Sequence, residues 1–150
     1  MIIDNMKATG HVSIVVKDAD GNVKHEQETN NLVVTTGLNW IAARLYDTGI
    51  PADMSHMAIG TGIIAAAAGD TALGTQSAIV ALTSTTVSTN TVQYVASFAA
   101  GTPASAAAIT EAGLFNAASS GTMLARVVFD AVNKSVSDSL TVTWTVTVSV

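Results

Sequence analysis

From Leu140 to Val150 every second residue is apolar, and each residue between carries a hydroxyl. Leu140, Val142, Trp144, Val146, Val148 and Val150 alternate with Thr141, Thr143, Thr145, Thr147 and Ser149. A period of two puts the two sets on opposite faces of a β-strand. One face is then buried and the other meets water, which is the pattern of an antiparallel sandwich.

The same signal recurs upstream. Val12, Ile14 and Val16 alternate along residues 9–17, followed by Asp18-Ala19-Asp20-Gly21-Asn22, whose Asp, Gly and Asn tolerate positive φ. A β-hairpin over 9–29 is predicted. Its polar return strand, Val23 to Thr29, reads as an exposed edge guarded by Lys24, Glu26 and Glu28. A short buried strand is expected from Ser55 to Gly60, then a loop over 61–77 punctuated by Gly62, Gly69 and Gly74. Strands at about 78–88 and 91–99 follow, with Val92, Tyr94, Ala96 and Phe98 on one face. Ile109–Asn116 and Met123–Phe129 form a further hairpin, the second with Met123, Ala125, Val127 and Phe129 aligned.

One helix is predicted, near residues 37–47. Thr36 is its expected N-cap; Leu38, Ile41, Ala42 and Leu45 fall at helical spacing, and Arg44 lies in the last turn. That stripe, with Trp40 beside it, is expected to pack on the sheet. The fold class is therefore mainly β: an antiparallel β-sandwich or jelly-roll-like domain of about eight strands carrying one short helix. The 150 residues fit a single domain, with 1–50 as hairpin plus helix, a candidate anchoring region, and 51–150 as the sandwich body.

Charge narrows the function. With six Lys and Arg and a net charge of −5, the chain has no basic footprint for nucleic acid. The charged fraction is 11%, against about 25% in an ordinary soluble domain. Between Asp70 and Glu111 there is no charged residue at all. Either Ser and Thr keep that surface wet, or partner subunits cover it; the high alanine content favours the second. The absence of cysteine excludes disulfides, Cys-based zinc sites and thiol catalysis. Neither a secretory signal nor an apolar run long enough to span a membrane is read in the sequence.

Candidate chemistry is sparse. Asp18-Ala19-Asp20-Gly21-Asn22 spaces its oxygens as calcium loops do, but Thr29 stands where the full motif needs Glu, so an ordinary turn is expected. His11 and His25 could face each other across the first hairpin; with His56 remote, no zinc site is assigned. Gly60-Thr61-Gly62 is too short for a dinucleotide fingerprint and reads as a strand end where the backbone bends. No Gly-x-Ser-x-Gly elbow occurs. Glu111, in the apolar run Ile109–Phe115, is either a general acid or a structural carboxylate. The structural reading pairs it with Arg126 or with a row of backbone N–H groups, and is preferred because an unpaired buried carboxylate is costly. No catalytic, cofactor or metal residue is assigned, and no enzyme activity is expected.

Particular wording adds to this. Met54-Ser55-His56-Met57-Ala58-Ile59-Gly60-Thr61-Gly62 and Ala66-Ala67-Ala68-Gly69-Asp70-Thr71-Ala72-Leu73-Gly74 stand in the first half of the body. Ile109 to Ala118, Gly121 to Arg126, Val132-Asn133-Lys134 and Leu140 to Trp144 follow in order, and Asn31-Leu32-Val33-Val34 precedes Gly37-Leu38. Together they resemble small virion structural proteins of tailed bacteriophages, either capsid decoration (cement) proteins or tail-fibre-type β modules. Gln76 departs from the acidic residue expected there. The resemblance covers most of residues 30–147 and implies a particle component without catalysis or cofactor. A decoration protein would sit on the outer capsid as a small homo-oligomer, a trimer or dimer, bridging major capsid protein subunits. No long repetitive shaft is present, which favours decoration over a fibre. The alternatives are a tail component (fibre, adaptor or baseplate subunit) and a carbohydrate-binding host-adhesion module.

Overall fold

A computed structural model describes residues 5–46 and 49–150. Nine strands and one helix follow in the order β1 (Lys7–Lys17), β2 (Val23–Val33), α1 (Thr35–Arg44), β3 (His56–Gly60), β4 (Gln76–Ala81), β5 (Ser84–Ser88), β6 (Thr91–Phe98), β7 (Ala107–Phe115), β8 (Met123–Lys134) and β9 (Ser139–Ser149). They form one antiparallel sheet in the order β4-β3-β7-β8-β2-β1-β9-β6-β5. The sheet curls so that its two halves enclose a common core, the sandwich expected from the alternation.

The fold turns on β2. Along Gly10–Lys17 β1 pairs with β2, and along its whole length β1 also pairs with β9. The hairpin is thus built into the middle of the sheet. At its far end Leu32 and Val33 pair with Arg126 and Ala125 of β8, joining the two halves. The return strand is therefore not a sheet edge throughout. Among the described residues, Val23–Asn31 has no second strand partner, because the curl carries β8 away from it.

The strand expected over 78–88 is two. Leu82 N donates to Ser55 O at 2.9 Å and Thr83 N to Val95 O at 2.7 Å. Consecutive residues thus bond to opposite halves, and the chain crosses from β4 to β5 there. These two strands are also the two ends of the sheet order, so the curl brings its edges to one corner.

In the core, Val12, Ile14, Val16, Phe98, Leu140, Val142 and Trp144 of one half meet Met57, Ile59, Ile109, Leu114, Leu124 and Val127 of the other. Each side chain of this size stabilises by about 1.5–3 kcal/mol when fully buried. The Trp144 indole N–H donates to Asn31 Oδ1 at 3.0 Å, so its polar atom is not stranded.

The helix departs from expectation. Its N-cap is Val34, without a side-chain cap bond. Thr36 lies inside the first turn, and its hydroxyl donates to Met123 O at 2.8 Å. The contact with β8 is made through Gly37, where a Cβ would come within 2.0 Å of Leu124 O. Because the helix rests on that glycine, Trp40 and Ile41 reach the core while Leu38 and Leu45 remain 50% and 78% exposed. Of the predicted stripe only Ile41 is used, Ala42 being exposed as well. Residue 47, its predicted end, lies outside the described residues.

Candidate functional site

Glu111 lies on the outer side of β7, opposite Val128 of β8 and Gly60 of β3. It is nevertheless fully buried. The 61–75 loop folds back over this face and ends in β4. Leu73 of the loop packs with Phe115, Met123, Val34 and Ala58 in a second, smaller core on the outer side of the sheet.

The carboxylate holds the loop from beneath. Oε1 accepts from Gly62 N at 2.9 Å and Thr75 N at 2.7 Å. Oε2 accepts from Gly74 N at 2.9 Å and from Arg126 Nη2 and Nε at 2.8 and 3.1 Å. Arg126, 3% exposed, continues the network. Its Nη1 donates to Asp70 Oδ2 at 2.7 Å and its Nη2 to Ile64 O at 3.0 Å. Asp70 also accepts from Ala67 N at 2.9 Å. The Thr110 hydroxyl donates to Gly62 O at 2.7 Å. Three strand residues, Thr110, Glu111 and Arg126, thereby fix both ends and the middle of the loop.

Gly60-Thr61-Gly62 has its reason here. A Cβ on Gly62 would stand 2.4 Å from Glu111 Oε1, and one on Gly60 would stand 2.2 Å from Thr75 O. The strand does end at Gly60. The glycines are required because backbone must reach the carboxylate closely.

The electrostatics follow from the contacts. Burial pushes the Glu111 carboxyl up, but the bonds from Thr75, Arg126, Gly74 and Gly62 outweigh it and hold it below the usual value. Asp70 is lowered chiefly by the Ala67 N–H, despite some desolvation. Burial acts to lower Arg126, yet Glu111 and Asp70 leave it raised. A general acid needs the opposite shift and an accessible proton. Glu111 has neither, so its chemistry here is to lock a loop.

A second polar knot closes the far end of the sandwich. Lys134, the last residue of β8, is buried, and its ammonium donates to Asp138 O at 2.7 Å and Ala99 O at 3.2 Å. Burial lowers its pKa, partly offset by Asp138. Asp138 accepts from Lys24 Nζ and Ser135 N, both at 2.8 Å, and these bonds hold its carboxyl low.

One cleft, about 330 Å³, opens between α1, Asp53-Met54 and the β5–β6 hairpin; Trp40, Arg44, Thr85, Val87 and Tyr94 line it. Three of its polar side chains, those of Trp40, Arg44 and Asp53, are engaged within the protein. Trp40 Nε1 donates to Ala52 O at 2.9 Å, and Arg44 lies over the Trp40 ring while donating to Pro51 O and Asp53.

The other sequence candidates resolve locally. Asp18 Oδ1 accepts from Asp20 N and Asn22 N at 2.9 Å each, so it closes the turn with Gly21 at φ 86°. His11 and His25 do not face each other: His11 pairs with Asn30 and His25 with Val16, because the register is set by the five-residue turn. Among the described residues, no three His, Asp or Glu side chains are grouped to hold a metal ion. The sequence does not single out Gly62, Gly74 and Thr75 as the N–H donors to Glu111, nor Asp70 as the second carboxylate on Arg126. The Gly-Asp-Thr and Gly-Thr wording marked them only as loop. No protein-family model, curated protein or solved structure matches this chain.

Proposed function

We propose that this chain is a bacteriophage virion structural protein, a capsid decoration (cement) protein that binds the outer shell and stabilises it. One observation carries the reading. On the outward side of β9, β6 and β5 lie Thr141, Thr143, Thr145 and Thr147, then Gln93 and Val95, then Ser84 and Thr86. Three adjacent strands thus present a broad sheet face without a single charge. Desolvating hydroxyls costs far less than desolvating ammonium or carboxylate groups, so such a face suits protein contact.

The resemblance adds support in a specific way. The segments that carry it, 54–62, 66–74, 109–118 and 121–126, meet at the Glu111–Arg126 lock. They are the parts that build one scaffold.

Decoration works by mass action. A protein that binds the assembled shell and not its free subunits stabilises the shell in proportion to occupancy. The major capsid protein is the partner, and the subunit acts as a small homo-oligomer. The complete burial of Trp144 weighs against the glycan-binding alternative.

Copy number in purified particles is the test. Hundreds of copies per particle, together with a higher shell melting temperature when the protein is added back, are expected. A count matching a single ring would instead make it a tail component.

A further inference from the structure

The charge-free stretch between Asp70 and Glu111 contains both ends of the sheet, β4 and β5. Sheet edges offer unpaired backbone groups, and proteins ordinarily guard them with charge, proline or a bulge. This molecule does so elsewhere. The unpaired length of β2 carries Lys24, Glu26 and Glu28, and its hairpin has a register shift at Val16/Lys17. β4 is half-buried over Ser77–Val80. β5 has no such protection. All five of its residues, Ser84-Thr85-Thr86-Val87-Ser88, are exposed, Val87 at 70%, and its register with β6 runs without a bulge.

We infer that the β5 edge is a self-association surface, pairing antiparallel with β5 of a second copy across a two-fold axis at Thr86. This rests on the assembly reading above and names the interface. A two-fold contact must be self-complementary, and β5 is. In the register centred on Thr86, Ser84 meets the other copy's Ser88, Thr85 meets its Val87, and Thr86 meets Thr86. Every pair is uncharged, so no like charges face each other. The two Thr85–Val87 pairs fall on the cleft side, because Thr85 and Val87 line the cleft with Tyr94 and Val92. Each exposed valine then packs on a threonine methyl, and the two clefts run together. Either half-sheet continues into its copy as β2-β1-β9-β6-β5-β5-β6-β9-β1-β2. A strand from a different protein would use the same backbone groups but would not need this symmetry.

The chain has no cysteine, so a single one can report the register. Directly opposed residues of an antiparallel pair have Cα atoms about 4.5–5.5 Å apart, within disulfide range. Thr86→Cys is expected to oxidise to a covalent dimer. Ser88→Cys is the matched control: its copy lies four residues along, about 13 Å away, and is expected to stay monomeric. Thr86→Lys, which sets two ammonium groups face to face, is expected to halve the mass seen by light scattering with an unchanged circular dichroism spectrum. Ser119→Lys, on the distant β7–β8 turn, is expected to leave the mass unchanged. An oligomeric wild type that T86K does not dissociate and T86C does not cross-link overturns β5 pairing and leaves the assembly reading standing. Equal cross-linking of T86C and S88C overturns the two-fold register. A wild type that stays monomeric at high concentration overturns both the interface and the homo-oligomer. T86C cross-linking only to another virion protein replaces self-pairing with strand addition to that partner.

Discussion

Strands β8 and β9 follow one another in the chain, have similar lengths and lie in different halves of the sheet. β9 alternates: Leu140, Val142, Trp144 and Val146 are buried, and the threonines between them are half-exposed. β8 does not alternate at its start, where Met123, Leu124, Ala125, Arg126 and Val127 are all buried. The difference is what lies outside each strand. Among the described residues no further layer covers the outer face of β9, whose threonines stay half-exposed. Outside β8 and β7 lies the 61–75 loop, held by a carboxylate of β7, Glu111, and a guanidinium of β8, Arg126. One half is a one-sided sheet finished by its own sequence; the other is a two-sided layer that exists only when a distant loop arrives.

The sharpest way to break that comparison is Glu111→Ala. It leaves Arg126 buried without its main counter-charge and removes the acceptor from Gly62, Gly74 and Thr75. Breaking a buried pair this way costs about 3–5 kcal/mol. Urea unfolding is expected to show that loss, and hydrogen exchange to show it first in the 61–75 loop amides, before β9. Uniform loss of protection across both halves would contradict the division.

Gly113→Ala probes the outer packing. A Cβ there would sit 3.0 Å from Leu73 Cδ2 and Phe115 Cε2 and 3.2 Å from Met123 Cε. Side-chain ends can shift, so the expected cost is about 1–3 kcal/mol, the usual range for overpacking. The measurement is the urea midpoint at constant m-value.

Acidification should act on the same half and, through Asp138, on the knot at the far end of the sandwich. Glu111 and Asp70 both sit below their ordinary values in the folded protein. The unfolded chain therefore takes up protons first as the pH falls. Their stabilisation is complete above the ordinary carboxylate range and is lost as the pH drops through it towards the folded values. A urea-midpoint series against pH should fall on the acid side in the wild type. The fall should be shallower in Glu111→Gln, which cannot ionise.

The smallest effect belongs to the open half. Thr145→Val on the outward face of β9 removes a hydroxyl that bonds no side chain among the described residues, and the valine keeps the β-branched shape. Stability should change by no more than about 0.5 kcal/mol. A loss as large as that of Gly113→Ala would mean that the hydroxyl face is part of the fold and not a free surface.

Much of the fold was legible because it is local. The period of two in β9, the Asp18–Asn22 turn and the β7–β8 hairpin are written in neighbouring residues. Even Glu111 and Arg126 could be singled out, since charges in an apolar run need partners. The helix face was misread because spacing shows which residues align, not which side a glycine will press against β8. The 78–88 stretch was misread because nothing in its composition marks Leu82-Thr83 as a crossing.

The uncharged, alternating pattern by itself determined a β-domain in which strands such as β9 bury one face, since side-chain direction follows residue order. Only the tertiary structure decided that the sheet curls until its bare edges meet. It alone also decided that Glu111 binds Thr75, Gly74 and Gly62, which lie 36, 37 and 49 residues away. Those partners are backbone N–H groups, which every non-proline residue carries alike; only the folded path of the loop selects which of them reach the carboxylate.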